Sequence, residues 1–382
     1  MTTLLDNDLY KFTMMQAVWL KQRAAQVRYR FINRRPRLPF KERDIAELRE
    51  AVQELANVRF AQDELAFLRE LPFMQAEFVD FLADFQLRAD HVQFDLRDGQ
   101  LGLEVVGGWV DTILWEVPLL AMVSQHYFRE IDQQWDQNLT DYHARAMAKG
   151  RRLTANGAKF IEFGTRRRRN YATQETVIRA FNETGVHCAG TSNVHFAKEY
   201  GMTPVGTMAH EWIMGYAGLH GVERANAHAL QAWREVYGDQ LSVALTDTYT
   251  TDLFFDNFRG ELANAYAGLR HDSECPITFA DRVLNFYAKE GIDPLTKRIV
   301  FSDSLDVEKA IAIQQHVAGR IPISFGIGTH FTNDFANSPA LSIVIKLDEI
   351  NGRKVAKLSD NPEKACGARD AVTAAMKYIK AA

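Results

Sequence analysis

From about residue 155 the chain keeps one rhythm: a short apolar run, a cluster of glycine or polar residues, then a segment whose apolar positions recur at helical spacing. The apolar runs are residues 159–163, 187–190, 204–207, 241–246, 267–269, 298–302 and 322–325. Strands that alternate with helices run parallel, because each helix carries the chain back before the next strand begins. Gly164-Thr165-Arg166, Thr191-Ser192-Asn193, His210-Glu211, Asp247, Arg270-His271-Asp272, Asp303 and Gly326-Ile327-Gly328-Thr329 follow those runs. In a parallel barrel the loops after the strands open on one face, so this distribution gathers polar chemistry at one mouth. The fold class expected is therefore α/β, with an irregular or incomplete α/β barrel over residues 136–337. A doubly wound open sheet is the alternative.

Residues 1–135 read differently. Helical spacing over 9–21 and 41–55, with short partly alternating runs at 27–32, 92–96 and 101–105, predicts an amino-terminal α/β sandwich domain. No linker rich in proline, glycine or serine marks the boundary. Near the other end, residues 341–350 and 353–358 read as strands joined by Asn351-Gly352, a pair that tolerates the positive φ of a tight hairpin. A helical tail follows, and segment 338–382 is expected to pack back on the amino-terminal domain.

Composition narrows the function. The 382 residues carry 45 basic and 49 acidic side chains, a net charge of −4, which gives no reason to expect a nucleic-acid or membrane partner. Any anion site is local. Cys188, Cys275 and Cys366 form no C-x-x-C pair, which argues against a disulfide framework or cysteine zinc site and suits a reducing cytoplasm. Asp6 and Asp8 at the start do not resemble a secretory signal. The apolar stretch 101–123 is interrupted by Glu104, Asp111 and Glu116, so it is expected to be buried protein rather than a membrane span.

Several positions could carry chemistry. Gly326 and Gly328 after a strand let backbone N–H groups approach a phosphate, with Thr329 adding a hydroxyl; the alternative is a loop shaped only by backbone geometry. Of the four arginines 166–169, adjacent residues cannot all face one pocket, so some are expected in solvent; Arg166, nearest the strand end, is the candidate for a phosphate or carboxylate. Asp247, Asp272 and Asp303 could hold ribose hydroxyls or Mg²⁺, or could cap the next helix. His210 beside Glu211 could be a base, a metal ligand or a phosphoryl acceptor, though Met214 excludes the H-E-x-x-H arrangement. Asn7 or Asp8 could cap the first helix, while Tyr10 could pack or stack on a planar ligand.

Taken in order, Asp6-Asn7-Asp8-Leu9-Tyr10-Lys11, Glu162-Phe163-Gly164-Thr165-Arg166, Gly190-Thr191-Ser192-Asn193 and Gly206-Thr207-Met208-Ala209-His210-Glu211-Trp212 resemble segments of nicotinate phosphoribosyltransferases. So do Leu245-Thr246-Asp247-Thr248, Leu269-Arg270-His271-Asp272-Ser273, Phe301-Ser302-Asp303 and Ser324-Phe325-Gly326-Ile327-Gly328-Thr329. The resemblance spans nearly the whole chain. It implies an amino-terminal sandwich on an irregular barrel, a homodimer with active sites at the subunit boundary, and nicotinate and phosphoribosyl pyrophosphate as substrates. It further implies Mg²⁺ as metal and ATP as co-substrate, hydrolysed through a phosphohistidine at His210, in the salvage of nicotinate for NAD biosynthesis.

By the same resemblance Phe163 lies against one face of the pyridine ring and Tyr10, from the neighbouring subunit, against the other. Arg166 and Arg270 serve the anionic ends of the substrates, and Asp272 is assigned with His210 to catalysis. Asp247 and Asp303 approach ribose, metal or pyrophosphate, and Gly326, Gly328 and Thr329 cradle the 5′-phosphate. Related nicotinamide-using enzymes carry an aspartate where this chain has Ser192, which can donate to a carboxylate, so nicotinic acid is favoured over the alternative, nicotinamide. One departure stands out: Ser273-Glu274-Cys275-Pro276 replaces the commoner Ser-Gly-Asp-Pro. Rival readings are a phosphate-binding barrel lyase or isomerase, which needs no phosphorylated His210, and a nucleotide-sensing protein, which releases no pyrophosphate.

Overall fold

The computed structural model describes residues 3–135 and 138–381. The expected domain boundary lies beside residues 136 and 137, which are outside the described residues. The strands in chain order are β1 (Gln26–Asn33), β2 (Val92–Arg97), β3 (Gln100–Gly108), β4 (Phe160–Glu162), β5 (Cys188–Thr191), β6 (Val243–Leu245), β7 (Gly268–His271), β8 (Arg298–Phe301), β9 (Ile323–Ile327), β10 (Ile343–Ile350), β11 (Arg353–Lys354), β12 (Ala356–Lys357) and β13 (Cys366–Gly367).

The order β5-β4-β9-β8-β7-β6 forms a six-stranded parallel sheet in which the last strand returns beside the first. The interval between β5 and β6 is spanned by chain 203–207. Thr191 N–H donates to Thr203 O at 3.1 Å, Val205 N–H to Thr191 O at 2.8 Å, and Thr207 Oγ1 to Val243 O at 3.3 Å. The ring is thus an irregular barrel rather than an open doubly wound sheet. A strand was expected at 204–207, but only an isolated bridge from Thr191 to Pro204 forms. Pro204 has no N–H for a ladder, and Gly206 is pressed against the amino-terminal helix, where an added Cβ would lie 2.9 Å from Tyr10 N.

The barrel is packed inside. Phe160, Leu269, Ile299, Phe301, Phe325 and Ile327 are fully buried, each contributing about 1.5–3 kcal/mol relative to an exposed side chain. Helix Pro276–Lys289 shows how the covering layer is specified: proline opens it, and Phe279, Ala280, Val283, Phe286 and Tyr287 form one buried stripe.

The second sheet is antiparallel, in the order β11-β10-β1-β3-β2. Tyr29 pairs with Leu347 and Phe31 with Ile345, so the carboxyl-terminal segment supplies a central strand of the amino-terminal sheet. Asn351 (φ 47) and Gly352 (φ 77) make the tight turn after β10. The hairpin is shorter than expected: β11 ends at Lys354, and the chain then crosses to the barrel mouth as β12 and β13. Stretch 101–123 is β3 and the buried helical segment after it. No helix among the described residues is long and apolar enough to cross a membrane.

Helix Leu9–Lys21 forms where its spacing predicts, but neither Asn7 nor Asp8 caps it with a side chain. Asn7 Nδ2 donates to Leu114 O at 3.0 Å, and the Asp8 carboxylate accepts from Ser192 Oγ at 2.7 Å. Tertiary partners outcompete the local cap.

Candidate active site

His210 is the first residue of helix His210–His220, fixed where the barrel-closing segment turns inward. Its Nδ1 lies 3.0 Å from Thr248 Oγ1 and its Nε2 2.9 Å from Asp272 Oδ2. Burial, with Lys357 nearby, pushes its pKa down to about 3 against the pull of Asp247 and Asp272. The imidazole is therefore neutral. A carboxylate only accepts, so the network assigns the proton to Nε2 and leaves the Nδ1 lone pair toward the Thr248 hydroxyl.

The carboxylates around it are each tied down. Burial opposes ionisation of Asp272, but the His210 hydrogen bond and Arg270 hold it well below the usual carboxylate range. Arg270 Nη2 lies 3.6 Å from Asp272 Oδ2, and Arg270 Nη1 donates to Met208 O at 2.9 Å. Asp247, also buried, is held low by Lys357 at 3.0 Å, and it accepts from Ser359 at 2.9 Å. Asp303 meets Lys364 at 2.5 Å. None of the three caps a helix: the caps of the following helices fall on Thr250, Cys275 and Asp306.

A chain of contacts joins this cluster to the β4 and β9 loops. Ser302 Oγ lies 3.4 Å from Asp272 Oδ1. A Cβ on Gly326 would lie 3.6 Å from Ser302 Cβ and 3.3 Å from the Phe163 ring, and one on Gly328 only 2.8 Å from Phe163 O. Both glycines thus let β9 press against Phe163. Thr329 opens the short turn Thr329–Thr332 and is half-buried. The Phe163 backbone is held to β9 by its N–H to Ile327 O at 2.9 Å. Beneath it, Glu162 accepts from Gly164 N–H (2.5 Å), Thr191 Oγ1 (2.6 Å) and Gln174 Nε2 (3.1 Å). With no cation in that set, burial lifts its pKa to about 7.

The other wall comes from the amino terminus. Asp8 bridges to Asn193, and Leu9 N–H donates to Ser192 O at 2.7 Å. Ser192 is fully buried and gives its hydroxyl proton to Asp8, so it does not offer a free donor to a ring carboxylate as expected. The Tyr10 ring centre lies 6.0 Å from the guanidinium carbon of Arg166 in the same chain, and its buried hydroxyl has no hydrogen-bond partner among the described residues. Tyr10 was expected to meet the ring from a neighbouring subunit; within its own chain, helix Leu9–Lys21 packs on the barrel segment at Gly206 and sets Tyr10 beside Arg166. Arg166 is half-buried, 3.5 Å from Glu116, whose other partner is the buried Lys11 at 2.5 Å.

The arginine run departs from expectation in a second way: none of the four is in solvent. Arg168 makes a bidentate pair with Asp6 at 2.7 and 2.6 Å, and Arg169 lies 3.6 Å from the centre of the Phe128 ring and bonds Ser338. A short 3₁₀ turn over Thr165–Arg167 redirects successive side chains, so Arg168 and Arg169 go inward while Arg166 and Arg167 stay half-buried. Glu274 does not replace the missing aspartate; its φ of 73 turns its carboxylate to Arg282 at 2.9 and 3.0 Å.

Thr248, Lys357, Ser359 and Lys364 went unrecognised in the sequence. Thr248 sat inside a quoted motif. The signal for the others was polar residues at 357, 359, 360 and 364 in a segment read only as packing.

The comparisons agree with this geometry. A profile described as the nicotinate phosphoribosyltransferase (NAPRTase) family matches residues 158–380, and one for the N-terminal domain of that family matches residues 5–124. A nicotinate phosphoribosyltransferase of Methanosarcina mazei is 42% identical over 398 residues, covering 99% of this chain and 97% of the relative. Nicotinate phosphoribosyltransferase 1 of Pseudomonas aeruginosa is 41% identical, covering 94% and 92%. The crystal structure of the Porphyromonas gingivalis enzyme of that name superposes with a TM-score of 0.96 at 35% identity, covering all of both chains. With family-wide matches over both halves of its sequence and the same fold throughout, this chain belongs to the nicotinate phosphoribosyltransferase family.

Proposed function

We propose that this chain joins nicotinate to the ribose of phosphoribosyl pyrophosphate, forming nicotinate mononucleotide and pyrophosphate, with ATP hydrolysed through a phosphorylated His210. The observation that carries the reading is a neutral buried imidazole, clamped between Thr248 and Asp272, that shares one barrel mouth with the Phe163–Gly326–Gly328 junction. A neutral His210 is a competent phosphoryl acceptor without first losing a proton. Phosphorylation there adds charge and acceptor oxygens between Asp247 and Asp272, enough to rearrange their lysine and arginine contacts.

In the transfer itself the residues mainly position and stabilise charge. Phe163 and Tyr10 flank the pyridine ring, Arg166 faces its carboxylate, Gly326, Gly328 and Thr329 receive the 5′-phosphate, and Asp303 with Asp272 orients the ribose. Arg270, Lys357 and Lys364 face the leaving pyrophosphate. The residues fit Mg²⁺: Asp247 Oδ1 is buried without a hydrogen bond among the described residues, and ligand atoms of His210, Asp247 and Asp272 lie within 4.8 Å of one another. When bound, the ion neutralises phosphate oxygens of the substrate. Ring choice for nicotinate over nicotinamide is supported by the names of the relatives. We further propose a homodimer with shared active sites at the subunit boundary, Tyr10 coming from the neighbouring subunit, acting in the cytoplasm.

The experiment is an assay of the purified protein for nicotinate mononucleotide, with and without ATP and with nicotinamide as competing acceptor. His210→Ala should retain transfer and lose both ATP stimulation and the acid-labile phosphoprotein. Full retention of coupled ATP hydrolysis in that variant rejects the assigned role of His210.

A further inference from the structure

Glu162 ends β4 immediately before Phe163, and its side chain is fully buried. Donors from three elements meet its carboxylate. Gly164 N–H, in the turn after β4, donates to Oε1 at 2.5 Å; Thr191 Oγ1, at the end of β5, donates to Oε2 at 2.6 Å; and Gln174 Nε2, on helix Tyr171–Phe181, lies 3.1 Å from both oxygens. The backbone makes the same connection, because Glu162 O accepts from Ser192 N–H at 2.9 Å. The contact with the turn requires glycine at 164, where a side chain would run into Thr332 and the Glu162 carboxylate itself. A carboxylate held by neutral donors is unfavourable to bury compared with an apolar side chain, so packing does not account for it.

These bonds hold both ends of Phe163. Its own N–H is fixed to Ile327 O at 2.9 Å and the next N–H to the Glu162 side chain, while Phe163 itself stays half-buried. Gln174 Nε2 extends the set to Thr165 Oγ1 at 3.0 Å, the residue before Arg166. We propose that Glu162 is a positioning residue for the ring substrate: its carboxylate ties the turn carrying Phe163 and Arg166 to the Thr191-Ser192 end of β5 and so sets the width of the nicotinate pocket. This rests on the phosphoribosyltransferase reading of the site, in which Phe163 lies against the pyridine ring and Arg166 faces its carboxylate.

Three donors call for a partner that only accepts. An amide in place of the carboxylate turns an N–H group toward either Gly164 or Thr191. Gly164 N–H cannot reverse its role, but the Thr191 hydroxyl can rotate and accept, which leaves its own proton without an acceptor in this set. Glu162→Gln therefore preserves the turn and loosens the tie to β5. Protonation does the same. Burial, with a smaller push from Asp8 on the amino-terminal segment, raises the Glu162 pKa to about 7 against the bonds from Thr191, Gly164 and Gln174. The other groups facing it are Cys188 on β5 and, beyond Gln174, Arg168 paired with Asp6. Burial pushes the Cys188 thiol up to about 12 and Arg168 holds the Asp6 carboxyl below 3.8, so neither changes charge between pH 6 and pH 8.

The test is steady-state formation of nicotinate mononucleotide by the full-length protein with ATP, varying each substrate while the other is saturating, at pH 8 and pH 6. At pH 8, where about nine-tenths of Glu162 is ionised, Glu162→Gln should raise the KM for nicotinate about tenfold, the loss of one hydrogen bond to a charged group, and leave that for phosphoribosyl pyrophosphate unchanged. At pH 6, where about nine-tenths of the unaltered protein carries the proton, the ratio of nicotinate KM between the two proteins should fall to about two. Taking the ratio cancels protons lost by the substrates. Thr191→Val, which removes the β5 end of the tie, should raise the nicotinate KM at pH 8 in the same way, with melting temperature and circular dichroism confirming folded protein. A structural role alone would lower the melting temperature and leave the two KM values in step. An unchanged nicotinate KM in the folded variants at pH 8, a rise shared by both substrates, or a ratio that acid does not move overturns the proposal and leaves the transferase reading standing, whereas an unaltered protein that forms no nicotinate mononucleotide overturns both.

Discussion

Replacing Arg168 with methionine tests whether the arginine run is partly architecture. The guanidinium makes two short bonds to Asp6 and one of 3.0 Å to Gln174 Oε1, with both charged side chains almost inaccessible. Burial alone pushes the Asp6 carboxyl up, and Arg168 reverses that and brings it below its ordinary 3.8. Methionine fills most of the volume but leaves Asp6 with Asn193 Nδ2 at 2.8 Å as its hydrogen-bond donor. Breaking a buried pair in this way costs about 3–5 kcal/mol. The variant can limit that loss by protonating Asp6, at a cost of about 4 kcal/mol at pH 7 and about 2 kcal/mol at pH 5.

The sign follows from the two folded states. In the unaltered protein the Asp6 pKa is depressed, so its stabilising contribution is present above the unfolded value and is lost only as pH falls through the lower folded one. In Arg168→Met that pKa is raised, so the difference between the proteins should shrink from about 4 kcal/mol at pH 7 to about 2 kcal/mol at pH 5. Urea unfolding followed by tryptophan fluorescence at both pH values measures it. Adding Asp6→Asn should recover most of the loss, because no buried charge is then left unpaired. A loss below about 1 kcal/mol at pH 7, or one unchanged by acid, refutes the reasoning. Because Asn193 adjoins Ser192 and bonds Asp6, the folded variant should also show a raised KM for nicotinate.

Glu162, with a pKa near 7 against 4.5 when unfolded, makes the folded state hold a proton that the unfolded state releases; stability should fall by about 3 kcal/mol as pH rises from 4.5 to 7. Glu162→Gln should remove that slope in urea titrations, and an unaltered slope rejects it. Ser192→Asp places a second carboxylate against Asp8 and should lower kcat/KM for nicotinate about tenfold to a hundredfold relative to nicotinamide; an unchanged ratio in competing-substrate kinetics counts against Ser192 as a determinant of ring choice. Glu274→Gly with Cys275→Asp should raise stability by about 1–2 kcal/mol, since φ of 73 is left-handed and Cys275 provides no side-chain cap. A lower melting temperature in that double variant shows that the Arg282 pair matters more than the strain.

What was legible in the sequence was what period and position encode. Apolar runs at β4, β7, β8 and β9 carry enough local signal to locate a strand, and parallel strands oblige their following loops to share a mouth. Helix Leu9–Lys21 and the Asn351-Gly352 turn are likewise local statements. The chain between β5 and β6 was misread because Pro204 and Gly206 act through what they permit, a close approach to Tyr10 N, rather than through their own propensity.

The site was half legible for a related reason. His210, Asp247, Asp272 and Asp303 announce themselves by chemical type after a strand, but a lysine in a tail carries no mark of its destination. Lys357 and Lys364 reach Asp247 and Asp303 because β10 inserts beside β1 and the chain after β11 leaves that sheet to pair as β12 with β13. That same insertion puts Lys346 opposite Arg30 and near His210. The antiparallel sheet therefore helps to set the charge of a mouth whose Asp247, Asp272 and Asp303 come from the barrel, and a strand-register shift in β10 would alter the site without touching a barrel residue. Because side chains alternate across a strand, a one-residue slip would turn Lys346 to the opposite face and take its charge away from His210.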